Sequence, residues 1–271
     1  GQSQMVRMCL GSTLPNAVAN GLVGKVYLMR NTTNSPSGYQ VWDVTDVTAP
    51  VLKSSLAGIR STHKLLWECN TGIAYLPGSK NEPVAANRWR QSQSMVIVDW
   101  GNPTAAPTYL RTYGLPGGQP GTSGPTVPSL HGPISAHEHP NAAGALARAA
   151  GPNDIIGNRL YLAYGVGDDG VLQILDRKKL LPAAYGGTWV PATPTSADSP
   201  TVAELTDPQA GIMPMSPDQG GHTAMPVFGL QPPSYAKFNE FAKRDIVLLA
   251  SEATADGVGG RCDEAPHWSF I

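Results

Sequence analysis

Along this chain, apolar positions come in short runs rich in β-branched and aromatic residues, each bounded by Gly, Asn, Asp or Pro. That pattern predicts strands joined by tight turns. The runs recur in a fixed order. KVYLMRN is followed by a polar turn and then by GYQVWDVTDVTAP, Gly38 to Pro50. GIAYLPG, Gly72 to Gly78, is followed by a long insertion and then by SMVIVDWGNPTAAP, Ser94 to Pro107. NRLYLAYGVGDDG leads into VLQILDRKKLLP, which ends at Pro182. Each unit has an aromatic-containing strand, a turn, an apolar strand closing on Asp43, Asp99 or Asp176, and a proline beyond it. A strand-end Asp can accept hydrogen bonds from amides of the turn that follows, which releases the chain toward the next unit.

A single unit of this kind is one small antiparallel sheet that cannot bury both of its faces. Radial stacking of units covers them, so the expected fold is all-β, a β-propeller of four-stranded antiparallel blades. A fourth unit pairs DIVLLASE, Asp245 to Glu252, with HWSFI at the end of the chain. Roughly three and a half blades are thus expected, against about 4 to 8 in stable propellers. The chain reads as a single propeller domain over 1–271, or part of one, with insertions near 79–93, 115–133 and 183–221. A second chain completing the ring, or a homo-oligomer, is the expected partner. The Pro- and Thr-rich stretch from Pro191 to Pro217 reads as a long loop.

MVIVD at Met95 to Asp99, VWDVTDVTAP at Val41 to Pro50 and LQILD at Leu172 to Asp176 together resemble the LVIVD repeat. The resemblance implies a β-propeller that is secreted, periplasmic or on the cell surface.

Composition narrows the partners. Charged residues make up 14% of the chain and the net charge is -1, so no basic footprint for nucleic acid or anionic lipid exists. No apolar run is long enough for a membrane-spanning helix. With 30 Gly and 25 Pro against 41% hydrophobic residues, the glycines and prolines punctuate turns in a globular chain. Cys9, Cys69 and Cys262 allow one disulfide and a leftover thiol.

The histidines fall at related places. His63 in RSTHKLLWE precedes GIAYLPG, His137 in ISAHEHP precedes NRLYLAYG, and His222 in QGGHTAMPV precedes DIVLLASE. Each would open its unit's first strand, which lines the channel of a propeller. His139 shares a strand face with His137 by the two-residue period, giving four imidazoles for a transition metal such as copper, zinc or iron. Glu138, on the opposite face, could orient a ring N–H or handle a proton, and Glu252 could serve as a ligand or general base. Equally, such histidines could bond backbone groups of a neighbouring unit and stabilise it by about 1 kcal/mol each. His267 falls on the MVIVD-equivalent strand, away from the channel. His131, in GTSGPTVPSLHGP, reads as a loop residue without a role.

Three further segments carry weaker signals. NRWRQSQ, with Arg88, Trp89 and Arg90, could meet an anionic or sugar ligand, or be a solvated loop with one packed aromatic. GVGDDG at Gly165 to Gly170 reads as a hairpin turn. Met213, Met215 and Met225 near His222 would suit copper(I), or simply pack. No nucleophile elbow, HExxH, P-loop or dinucleotide fingerprint occurs. The expected function is therefore metal binding in a propeller, with hydrolase, lyase or oxidoreductase chemistry on a small molecule as the enzymatic form. The alternatives are a histidine acid–base site for an organic ligand without metal, and a non-catalytic surface scaffold for protein or polysaccharide.

Overall fold

The computed structural model describes residues 3–33, 36–136, 157–165, 170–215, 219–231, 244–251 and 268–270. Among them the architecture is all-β, with three four-stranded antiparallel sheets, one three-stranded sheet and a two-stranded ribbon. The chain divides into two compact units, Gly1–Pro133 with Lys178–Pro208, and Ile134–Arg177 with Gln209–Ile271.

In the first unit β1 (Val6–Leu10), β2 (Val26–Thr32), β3 (Gly38–Asp43) and β4 (Val51–Ala57) pair in sequence order as a meander. Side chains alternate as the two-residue period requires: Tyr27, Met29 and Asn31 are buried, while Val26, Leu28 and Arg30 between them are half-buried. β5 (Ile59–Arg60) pairs with β8 (Ser79–Lys80) as a ribbon. The second sheet runs through β6 (Leu66–Trp67), β7 (Ile73–Pro77), β9 (Met95–Asp99) and β10 (Thr108–Tyr113). Tyr27, Met29, Tyr39 and Val41 of the first sheet share one core with Trp67, Ala74, Leu76, Val96, Val98 and Trp100. All five residues of β7 and the first four of β9 are buried, so the second sheet is covered on both faces.

The strand-end aspartates act as expected in these two sheets. Asp43 Oδ1 accepts from the Thr45 amide at 3.0 Å, and Asp99 Oδ1 from the Gly101 amide at 2.8 Å. The exit turns then repeat one another. Asp46 Oδ1 accepts from the amide and hydroxyl of Thr48 at 2.9 and 2.7 Å, and Asn102 Oδ1 from those of Thr104 at 3.1 and 2.8 Å. Asp176 is held instead by the Asn158 side-chain amide. Gly72 sits at φ +74°, and a Cβ there would lie 2.3 Å from the Gly101 Cα, so the turn ahead of β7 admits no larger residue. Cys9 on β1 is disulfide-bonded to Cys69, just beyond β6, which ties the edge of the first sheet to the second.

In the second unit β12 (Arg159–Tyr164), β13 (Val171–Asp176) and β14 (Gln209–Pro214) continue a meander begun by β11 (Leu130–Ser135), a strand that straddles the division of the chain. β15 (Gly221–Leu230), β16 (Arg244–Ser251) and β17 (Trp268–Phe270) form the three-stranded sheet. Ala136, Tyr161, Ala163, Leu172, Ala224, Val247 and Leu249 make this unit's core.

The structure differs from the sequence reading in two places. Pro191 to Pro217 is not one long loop: it contains helix α1 (Val202–Thr206) and strand β14. Thr201 caps the helix through the Glu204 amide, and the Glu204 carboxylate returns the bond to the Thr201 amide. The chain ahead of α1 lies along β10, with the Thr112 amide donating to Ala197 O and Tyr109 Oη to the same oxygen, both at 2.8 Å. The second difference is β11, which occupies a Gly- and Pro-rich stretch read as loop. Gly132 is there for close approach, since a Cβ on it would lie 3.0 Å from the Lys64 Cβ.

Candidate functional site

His63 stands between β5 and β6, in a segment fixed at several points. Ser61 takes a left-handed conformation at φ +52°, and Thr62 Oγ1 donates to Thr32 O at 3.0 Å. The His63 amide donates to the Tyr39 hydroxyl at 3.3 Å, and that hydroxyl donates to Pro77 O. Burial raises the Tyr39 pKa far above its ordinary value, only partly offset by the bond to His63, so the hydroxyl stays protonated as a fixed donor. The backbone carrying His63 is thus anchored to two strands of the first unit's sheets.

His131 is the second residue of β11 and is buried. The amide of Leu130 before it donates to Gln93 O at 2.8 Å. Its ring meets that of His63 edge-on, with centroids 4.5 Å apart and planes at 75°. His131 is therefore not a loop residue, and it takes the strand-opening place that the sequence reading gave to His137. The sequence cue used, a small residue or Thr ahead of the histidine, misses it because Leu130 stands there.

His222, the second residue of β15, occupies the matching strand position in the second unit. Its Nδ1 shares a 2.8 Å hydrogen bond with Thr223 Oγ1. His137, Glu138, His139, Glu252, His267 and Cys262 lie outside the described residues. Among the described residues, no three of His, Cys, Asp or Glu come together as a metal-binding group.

Of the other sequence candidates, NRWRQSQ and the methionines near His222 resolve into structure, while residues 166–169 of GVGDDG lie outside the described residues. Trp89 is buried and donates its Nε1 hydrogen to Asp198 O at 3.0 Å. Arg88 donates to the carbonyls of Glu82 and Pro83, and Arg90 to those of Gly117, Gly124 and Pro125. These guanidinium groups hold loops together. Met213 and Met215 pack against the second unit's core, and Met225 on β15 is exposed.

One buried charge was not singled out in the sequence. Arg111 on β10 is fully buried, stacks 4.3 Å over the Trp189 ring and donates to Glu204 O at the end of α1. Desolvation lowers its pKa to about 10 against the pull of Glu204, Tyr113 and Tyr109, which leaves it a cation at neutral pH. Tyr113 Oη donates to Leu205 O at 2.8 Å beside it. Both side chains satisfy carbonyls at the helix end, a stabilising place for a cation.

Comparison with protein-family models finds no match to this chain, and comparison with curated proteins finds none either. No helix among the described residues is long and apolar enough to cross a membrane.

Proposed function

We propose that this chain is a β-propeller protein of the LVIVD-repeat kind that binds a transition metal through histidines at its strand openings. The observation that carries the metal reading is the contact between His63 and His131, two imidazoles from separate segments with ring centroids 4.5 Å apart. Imidazole nitrogens suit copper, zinc or iron, and ligands supplied by separate strands leave no short motif in the sequence. His137 and His139, a few residues beyond His131 in the chain, are the candidates to complete the ligand set, and His222 is tested alongside them. A metal with an open coordination position would supply Lewis-acid activation of water or of a small substrate, with Glu138 or Glu252 handling protons.

The propeller reading is supported by the successive four-strand meanders and by the exit turn that Asp46–Thr48 and Asn102–Thr104 repeat bond for bond. The Cys9–Cys69 disulfide supports a secreted, periplasmic or cell-surface location, where such bonds persist.

The test is elemental analysis of the purified protein after zinc, copper and iron loading and dialysis. About one metal per chain is expected, with His63→Ala and His131→Ala each weakening binding by roughly tenfold or more. Absence of stoichiometric metal, with unchanged thermal stability on chelation, would falsify the metal reading. The edge-on packing of the two rings favours a second reading, since imidazoles adopt it without metal: a non-catalytic scaffold for protein or polysaccharide, with structural histidines. That reading predicts substituted proteins that lose stability but bind as before.

A further inference from the structure

Arg111 and Trp189 both belong to the first unit, and both are buried, at 0% and 9% exposure. Aromatic rings wall the guanidinium: its Cζ lies 4.3 Å from the Trp189 ring centroid and 5.8 Å from that of Tyr113. Such rings attract a cation through their faces. The five guanidinium hydrogens, however, lie in one plane and leave through its edges, where each requires an acceptor. Nη2 has one, Glu204 O at 3.4 Å. Nε and Nη1 are buried and meet no acceptor among the described residues, and neither does the indole Nε1 of Trp189. Donors buried in this way are costly to a fold, most of all on a charged group, unless something accepts from them.

The chemistry of these donors selects what they bind. Arginine and tryptophan side chains donate and cannot accept. A water held by several of them would have its own hydrogens left without acceptors, whereas an anion accepts from every direction. The Glu204 carboxylate, whose charge acts on Arg111, does not fill this role. Its Oε1 accepts from the Ala192 amide at 3.0 Å, and its Oε2 from the Ser196 hydroxyl, the Thr201 amide and the Thr201 hydroxyl at 2.9, 2.9 and 3.0 Å. Arg111 supplies one positive charge, part of it already offset by Glu204, so a divalent anion such as sulfate would stay largely uncompensated. The burial of both donor side chains limits the ligand to a few atoms.

We propose that Arg111 and Trp189 form a closed binding site for a small monovalent anion of the halide class. The inference is independent of the histidines. Thermal unfolding of the whole chain tests it, with gluconate, too large for a closed site, replaced by chloride at constant ionic strength. Chloride at about ten times its dissociation constant is expected to raise the wild-type midpoint by roughly 3 °C or more. Trp189→Phe keeps a ring over the guanidinium but lacks the indole N–H, and is expected to weaken chloride about tenfold. Arg111→Met is expected to abolish the shift, apolar replacement of a buried charge being commonly tolerated. Should that variant fail to fold, Trp189→Phe decides. Lys53→Ala, at an exposed cation on β4, is expected to keep the wild-type shift. In crystals soaked with bromide, anomalous scattering is expected within hydrogen-bonding distance of Arg111 Nε or Nη1. A wild type indifferent to chloride, a shift that Arg111→Met or Trp189→Phe retains in full, or bromide bound only away from Arg111, an adventitious ion only, overturns the proposal.

Discussion

Glu204 does two things with one carboxylate. It closes the cap of α1, and it gathers the Ala192 amide, the Ser196 hydroxyl and the amide and hydroxyl of Thr201. Burial alone would raise its pKa, but these bonds to the charged form outweigh it and hold the group at about 2, below the ordinary 4.5. Because the folded value is depressed, the stabilisation is full above about pH 4.5 and is lost as pH falls toward 2. Glu204→Gln is expected to lower unfolding free energy at pH 7 by on the order of 2 kcal/mol. It should also flatten the fall in stability between pH 4.5 and 2, as read by denaturant melts across that range. The Thr-x-x-Glu signature of this cap is present in the sequence, but the prolines around it masked the helix. His131 is hidden for a related reason: Gly132 and Pro133 read as turn residues, whereas Gly132 answers to the nearness of Lys64, a contact no local pattern encodes.

At the scale of elements, β1 is an edge strand of the first unit, with β2 as its one neighbour in the sheet. The Cys9–Cys69 bond compensates across 60 residues of sequence. Loop-closure entropy for such a span corresponds to about 4 kcal/mol, with strain or residual structure reducing it. Paired Cys9→Ser and Cys69→Ser substitutions are expected to cost about 2–4 kcal/mol in urea unfolding, and reduction of the wild type to cost the same. A wild type indifferent to reductant would contradict this. Three cysteines in the sequence could not say which two pair; the choice depends on how the turn after β6 meets β1. β15 teaches the same lesson about prolines. Pro226 lies inside this strand, opposite Val247, which is tolerated because β15 is an edge of its sheet and a missing donor there breaks no second ladder.

For the molecule as a whole, the strand order within each sheet was legible because period-two alternation and turn residues are local signals. Their consequence, four strands in simple succession, follows wherever connections are short. Opening strands were the hardest to place, since β6 is two residues long and β11 contains Gly-Pro. Burial should set the order in which the chain opens. Amide hydrogen exchange is expected to be slowest in β7 and β9, which have neighbours on both sides in the sheet and cover on both faces. β1 should exchange faster, and comparable protection of β1 and β9 would show that the first unit opens only globally.

The Cys9–Cys69 bond also sets how the chain bears load. A polypeptide drawn out from its ends transmits tension through the shortest covalent path, and here that path crosses at the disulfide. β2, β3 and β4 of the first sheet, which lie between the two cysteines, are bypassed. Roughly 200 Å of contour stays folded away from the pull until the bond is reduced. Those three strands are thereby shielded from mechanical extension for as long as the Cys9–Cys69 bond is intact.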